Sequence, residues 1–309
     1  MSSQILKNVM VAGGRGVIGT PILNALLASG LFNVSVLSRA ESTAVFPPAV
    51  IVKKADHSSR KDLVRALKGQ DALICTLNDE AGGVQVQLID AAIEAGVKRF
   101  LPSEWGNCHI KAPVPESEPV VEGKNAILEL LKEKATEAQA KGQEFHWTGV
   151  NVGLFFDWSL EVGFLDVFLR PTKTAKVWDG GSGVFSASNL STVAAGVVAI
   201  LSIAEAETRD RFVNIESFAT SQREVVAALE KATGEKWTVE ETSMKEQLAV
   251  AQEMHEKGDF LNAFYRWILA SVVSGREEPR FKTVDNELLG LLHEDMQETV
   301  EKLLKGDSI

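Results

Sequence analysis

The segment "VMVAGGRGVIGTPILNALLASG", residues 9–30, joins an apolar run, a glycine-rich loop and a periodic apolar stretch that stops at glycine. The run predicts a β-strand, and the stretch predicts a helix that Gly30 ends as a C-terminal cap. Between them, Gly13, Gly16 and Gly19 have Gly-x-x-Gly-x-x-Gly spacing. Glycines placed between a strand and a helix are typical of a dinucleotide-binding loop, although the same residues can serve only a tight turn.

The first half of the chain repeats this alternation of apolar strands and helices. Further strands are predicted at 33–39, 50–56, 71–77, 98–104 and 144–153, and helices at 58–69, 84–96 and 122–142. Strands that are apolar throughout are expected where helices cover both faces of a parallel sheet. We therefore predict an α/β fold, a doubly wound parallel sheet, with a cofactor-binding domain over residues 1–155.

The pattern changes in the second half. The stretch 193–204, "VAAGVVAILSIA", predicts a buried helix and is too short to span a membrane. "KVWDGGSGVFSASN" at 176–189 indicates a short hairpin or a loop, and 211–217 predicts a late strand of the main sheet. We predict a smaller, α-rich and interleaved substrate domain over residues 156–309.

Composition narrows the classes of partner. The formal net charge of −10 disfavours binding to nucleic acid or to an anionic membrane surface. The chain has two cysteines, Cys75 and Cys108, and its five histidines show no metal-ligand spacing. The N-terminus lacks a signal-peptide layout. We expect a cytoplasmic protein, a monomer or homodimer, that binds a small molecule and no metal.

The glycine loop and the end of the second strand predict the cofactor. Backbone amides at the start of the first helix would hold a pyrophosphate. The predicted contacts of this loop are Gly13, Gly14, Arg15, Gly16, Val17, Ile18 and Gly19. Ser38 and Arg39 end the second strand, where an NAD site would carry a carboxylate. A guanidinium instead suits a 2′-phosphate, so NADP(H) is predicted; alternatively, Arg39 is a solvated strand-end residue.

The usual Tyr-x-x-x-Lys of short-chain reductases is absent. Tyr265 is the single tyrosine of the chain, with Leu261 and Leu269 at helical spacing from it, which indicates a packing residue. Lys124 stands out instead, because Ile127 and Leu128 lie three and four residues further on, at the start of an apolar helical stripe. Such a lysine either extends to solvent along the helix surface or points into a cleft.

Three stretches resemble one family. "KRFLPSEWG" at 98–106, "EGKNAILELL" at 122–131 and "WTGVNVGLFFDW" at 147–158 are similar to the isoflavone reductase-like, NmrA-like group of atypical short-chain reductases. The resemblance extends over residues 5–240 or so. Trp105, where plant members have phenylalanine, resembles the fungal CipA-like branch. The resemblance implies a Rossmann-type fold and NADP(H).

The resemblance also implies roles for particular residues. The 2′-phosphate arginine falls on Arg39 and the catalytic lysine on Lys124. Segments along the cofactor fall on Thr76, Leu77, Pro102, Ser103, Glu104, Lys124, Gly153 and Phe155. Three positions depart from the family: Gly153 and Leu154 replace its Asn-Cys, and Arg15 replaces its threonine.

The function predicted from these patterns is NADPH-dependent reduction of a small aromatic or polyketide-like molecule in secondary metabolism. An apolar pocket at the carboxyl ends of the strands would receive it, walled by Trp105, Phe155, Phe156 and Trp158. Lys124 would protonate the oxygen where charge develops. Two alternatives remain open: a non-catalytic NmrA-like sensor of NADP, and an isomerase or cyclase on the same fold.

Overall fold

A computed structural model describes residues 6–78, 82–106, 118–169, 172–276 and 279–306. Its largest sheet has eight strands, with β4 and β1 in its interior. These strands are β1 (Asn8–Ala12), β2 (Asn33–Arg39), β3 (Ile51–Ala55), β4 (Ala72–Cys75), β5 (Arg99–Leu101), β6 (Trp105–Gly106), β7 (His146–Asn151) and β12 (Arg211–Asn214).

All of these strands pair in parallel. The order is β12-β7-β5-β4-β1-β2-β3, with β6 beside β7. The chain leaves β1 toward β2 and β3 and later returns on the other side through β4, so the strand order reverses between β1 and β4. In such sheets the ligand crevice lies at this reversal, outside the carboxyl ends of the strands. The predicted doubly wound sheet is confirmed, and the late strand pairs with β7 as predicted.

Helices cover both faces of the sheet. They are α1 (Gly19–Ser29), α2 (Arg60–Leu67), α3 (Gly82–Ala95), α4 (Glu118–Ala140) and α6 (Leu190–Ile200). Buried side chains of α1 and α6 form one apolar core with the sheet, and those of α2, α3 and α4 form a second core on the opposite face. Burial on both faces explains why the interior strands β1 and β4 are apolar along nearly their whole length.

The remaining elements form a second unit around a third core. They are β8 (Leu154–Phe155), α5 (Phe156–Val162), β9 (Val167–Phe168), β10 (Thr174–Trp178), β11 (Phe185–Ser188), β13 (Phe218–Thr220), α7 (Gln222–Thr233), β14 (Thr238–Thr242), α8 (Met244–Glu256), α9 (Phe260–Val273) and α10 (Met296–Lys305). Six of these elements are strands, in two three-stranded sheets, β14-β10-β9 and β13-β11-β8. The unit is therefore less purely helical than the sequence indicated.

The stretch 176–189 does not form a hairpin. β10 and β11 lie in different sheets, separated by a turn of 3-10 helix over Asp179–Gly181. Gly183 explains the separation: a Cβ there would lie 2.4 Å from the carbonyl oxygen of Val273, so the connection packs directly against the end of α9. Neither a hairpin nor a loop describes the whole stretch, because it contains the end of β10 and all of β11, joined by this turn.

Several helix ends agree with the sequence. Ser59 and Ser221 accept hydrogen bonds from the backbone amides of Asp62 and Glu224, and Gly30 caps α1 in the left-handed conformation. In contrast, α4 begins at Glu118, earlier than predicted. No helix in the described ranges is long and apolar enough to cross a bilayer.

Candidate functional site

The three glycines of the first loop have different surroundings. Gly13 has a φ of +93°, and a Cβ there would lie 2.6 Å from the Thr76 carbonyl oxygen. A Cβ on Gly19 would lie 2.2 Å from the Gly13 carbonyl oxygen. At Gly16 the nearest atom would be 3.4 Å away, an ordinary contact. Gly13 and Gly19 therefore allow the loop to close against the end of β4, whereas Gly16 leaves room for a ligand.

A cleft of about 1000 Å³ begins at this loop. It lies at the carboxyl ends of β1, β2 and β4, where the strand order reverses. Its glycine-loop side is formed by Gly13, Gly14, Arg15, Gly16, Val17 and Ile18. In the described chain, the residue before α1, Ile18, provides no side-chain cap, so the start of this helix is open to an anion in the cleft.

One end of the cleft is cationic and polar. Ser38, Arg39 and Ser42 line it, together with His57. The Arg39 side chain is 72% exposed, and its Nε lies 3.9 Å from the Glu41 carboxylate, a pair that contributes little in solvent. Arg15 also lines the cleft, and its Nη1 donates a hydrogen bond of 2.8 Å to the carbonyl of Val45. Both predicted arginines thus reach the same cleft.

His57 lines the cleft, although its position in the sequence gave no reason to expect it there. Its Nε2 is buried and has no hydrogen-bond partner among the described residues. Burial, followed by the charge of Arg39, lowers the pKa of His57. The imidazole is therefore neutral at neutral pH. No spacing in the sequence could have indicated its place, because the turn after β3 meets the end of β2 only in the sheet.

The middle of the cleft joins the ends of β4 and β5. Thr76, Leu77 and Ser103 line it, and the Ser103 hydroxyl donates to the Leu77 carbonyl at 2.6 Å. The neighbouring Pro102 is buried, and Glu104 is half-buried with its backbone amide bonded to the Pro102 carbonyl at 2.8 Å. Neither Pro102 nor Glu104 lines the cleft as the described residues outline it.

Aromatic side chains form the other end. Trp105, Phe155 and Trp158 line it, as predicted, and Tyr265 lines it as well. The Trp105 indole nitrogen donates to the Cys75 carbonyl at 2.8 Å, which fixes that ring against β4. Burial raises the pKa of the Cys75 thiol to about 12, so this cysteine is not a nucleophile at neutral pH.

Two predicted site residues lie elsewhere. Phe156 is fully buried, and its ring packs edge-to-face on Phe218 with centroids 4.8 Å apart, in the core of the second unit. Phe155 ends β8 and Phe156 begins α5, so the two rings point in different directions. A Cβ on Gly153 would lie 2.1 Å from the carbonyl oxygen of Ser186, which places Gly153 against β11. The expectation of Phe156 in the pocket wall is not met, and Gly153 is not among the described residues that line the cleft.

Lys124 is half-buried in the second turn of α4. Leu128 and Leu131 of the same stripe are buried against the sheet, as the periodicity predicted. Lys124 is not among the described residues that line the cleft. Residues 107–117, which precede α4, are outside the described ranges, as are Cys108 and His109.

Known proteins show the same architecture and family. A family model described as the NmrA-like family matches residues 6–267. The chain belongs to the NmrA-like family. Its relative named oxidoreductase aprR, from Aspergillus flavus, is 32% identical over 305 residues, which cover 96% of this chain and 99% of that protein. The resemblance indicated by the Pro-Ser-Glu-Trp-Gly motif is confirmed.

Solved structures of the NmrA-like fold extend the comparison. A crystal structure of isoflavone reductase superposes with a TM-score of 0.75 at 21% identity, covering 97% of this chain and 99% of that one. A structure described as AtPrR2 with NADP+ and (+)pinoresinol has a TM-score of 0.73 at 20% identity, covering 96% and 98%. Among the described residues of this NmrA-like protein, no group of His, Cys, Asp and Glu side chains is arranged to hold a metal ion.

Proposed function

We propose that this NmrA-like protein is an NADPH-dependent reductase of a small aromatic or conjugated molecule. The observation that carries the proposal is one continuous cleft with a glycine loop and Arg39 toward one end and four aromatic rings at the other. Such a cleft suits a dinucleotide laid from its phosphates to its nicotinamide, with an apolar substrate stacked beside the nicotinamide.

The residues present fit the cofactor. Gly16 leaves space where a pyrophosphate would approach, and the uncapped start of α1 offers a positive dipole end to it. Arg39 and Arg15 supply cationic groups for a 2′-phosphate. When bound, NADPH supplies the hydride.

The protein's own contribution would be binding, orientation and exclusion of water. The aromatic end holds the substrate ring, and the ordered Trp105 indole limits its position. Lys124 is our candidate for the group that holds a proton at Nζ for the substrate oxygen. The resemblance and the position of Lys124 on the inward side of α4 support this role.

The test is NADPH oxidation by the purified protein in the presence of conjugated phenolics, quinones and polyketides. With an active substrate, Lys124→Met should lower turnover by about 10²–10⁴, the usual effect of removing a general acid. NADPH affinity, measured by calorimetry, should stay nearly unchanged. Lys141→Met is the matched control, since Lys141 is an exposed lysine just beyond the end of α4. Near-normal turnover in Lys124→Met would exclude Lys124 as the proton donor.

A non-catalytic NADP(H) sensor is the second candidate. It is favoured by the absence of Lys124 from the described lining of the cleft. A sensor should bind NADPH and oxidise none of it across the whole panel. Turnover with any member of the panel would exclude this candidate.

A further inference from the structure

Tyr265 is the single tyrosine of the chain, and it lines the cleft in addition to packing against neighbouring rings. Its ring packs edge-to-face on Phe164, with centroids 5.8 Å apart and planes at 78°. Phe164 in turn contacts Trp158, with centroids 5.6 Å apart. These contacts hold the Tyr265 ring at the aromatic end of the cleft, where Tyr265 remains 37% exposed.

Polar atoms near this end are mostly engaged within the protein. The Trp105 indole nitrogen donates to the Cys75 carbonyl, and the Ser103 hydroxyl donates to the Leu77 carbonyl. The Tyr265 hydroxyl has no hydrogen-bond partner among the described residues. A phenol group that a ligand would remove from water requires a partner, because an unpaired hydroxyl is costly to bury.

We propose that Tyr265 determines substrate specificity by donating a hydrogen bond from its hydroxyl to an oxygen substituent on the planar ring of the substrate. The inference rests on the proposed function, because it assigns the aromatic end of the cleft to substrate. It narrows the substrate class to oxygen-bearing aromatic rings, such as phenols and quinones. A site built to hydrogen-bond an oxygen rejects the analogue that lacks it, since its own polar group is then left unpaired.

Binding without turnover tests the proposal. The probes are 2-naphthol and naphthalene, which share a ring system and differ in one hydroxyl, measured by equilibrium dialysis against the protein saturated with NADP+. We expect the unmodified protein to bind 2-naphthol at least tenfold more tightly, which is about 1.4 kcal/mol. Tyr265→Phe keeps the ring on Phe164 and should remove this preference while leaving the affinity for naphthalene unchanged.

The control is Phe264→Leu, which removes a neighbouring ring on α9 that does not line the cleft. This variant should keep the preference for 2-naphthol. Equal binding of the two probes by the unmodified protein, no binding of either, or an intact preference in Tyr265→Phe would each overturn the proposal.

The binding measurement does not depend on hydride transfer. A protein that shows the preference but never oxidises NADPH would refute only the proposed function, and one that oxidises NADPH without the preference would refute only the role of Tyr265.

Discussion

Gly13, Gly16 and Gly19 share one residue type but differ in what limits them. At Gly13 and Gly19 the fold requires glycine, because an added Cβ would overlap backbone oxygen atoms. Gly16 has space for a Cβ, and its backbone amide donates a hydrogen bond of 2.9 Å to the Gly13 carbonyl. The common spacing in the sequence therefore covers two positions where the fold itself excludes a side chain and one where it does not.

This distinction makes a prediction at the scale of single residues. Gly16→Val should lower NADPH affinity at least tenfold, about 1.4 kcal/mol, because the side chain occupies the approach of the pyrophosphate. Its free energy of unfolding without ligand should stay within about 1 kcal/mol of the unmodified protein. Gly19→Ala should instead destabilise the fold by about 1–3 kcal/mol through overpacking. Calorimetry and urea unfolding measure the two effects. Full affinity in Gly16→Val would show that the loop serves only the turn.

At the scale of elements, a buried ion pair ties the sheet to the turn after α6. Arg99 of β5 is fully buried and donates to the Thr148 hydroxyl of β7 at 3.0 Å, to the Thr208 hydroxyl at 3.2 Å and to both the carbonyl and the carboxylate of Glu205. Burial lowers the pKa of Arg99 to about 10, which keeps it charged at neutral pH. The apolar pattern of residues 98–104 predicts the strand but not this contact, because Thr148, Glu205 and Thr208 lie far along the chain.

Arg99→Met should destabilise the protein by about 3–5 kcal/mol, since it leaves the buried Glu205 carboxylate with fewer partners. Arg209→Met is the comparison, because Arg209 also pairs with Glu205 but is 36% exposed, and its loss should cost less. Urea unfolding at neutral pH gives both values. Equal losses of unfolding free energy in the two variants would show that the buried Arg99 guanidinium stabilises the protein no more than the partly exposed Arg209 guanidinium does.

At the scale of the whole molecule, the net negative charge of the protein opposes binding of the proposed cofactor, which is also negatively charged. The chain carries a formal net charge of −10, yet the glycine-loop cleft is lined by Arg15 and Arg39. Local cations must therefore outweigh the repulsion that an acidic protein exerts on a phosphorylated dinucleotide.

NADPH should bind at least tenfold more tightly than NADH, about 1.4 kcal/mol, and Arg39→Asp should abolish the difference because its carboxylate repels the 2′-phosphate. Arg65→Asp makes the same change in net charge on α2, outside the cleft lining, and should keep the preference. The shift in Tm with each cofactor measures the affinities by linkage. Loss of the preference in both variants would assign it to net charge and not to Arg39.

The amino-acid sequence by itself determined the parallel sheet, the glycine loop, the late strand and the helix cap at Gly30. These features follow from local patterns: apolar runs, capping residues and glycines within a few positions of each other. Arg39 and the aromatic residues Trp105, Phe155 and Trp158 could be assigned to the cleft because each follows a predicted strand, and parallel strands end at one edge.

Only the tertiary structure placed His57 and Tyr265 in the cleft and removed Phe156 and Gly153 from it. The side chain of Phe156 depends on how β8 and α5 pack against β11 and β13, contacts made across more than 30 positions of the chain. Tyr265 lines the cleft because its ring packs on Phe164, about 100 positions earlier in the chain, although its local spacing is that of an ordinary buried helix face. Local periodicity specifies which side of an element is apolar, but the partner of that side is set by long-range packing.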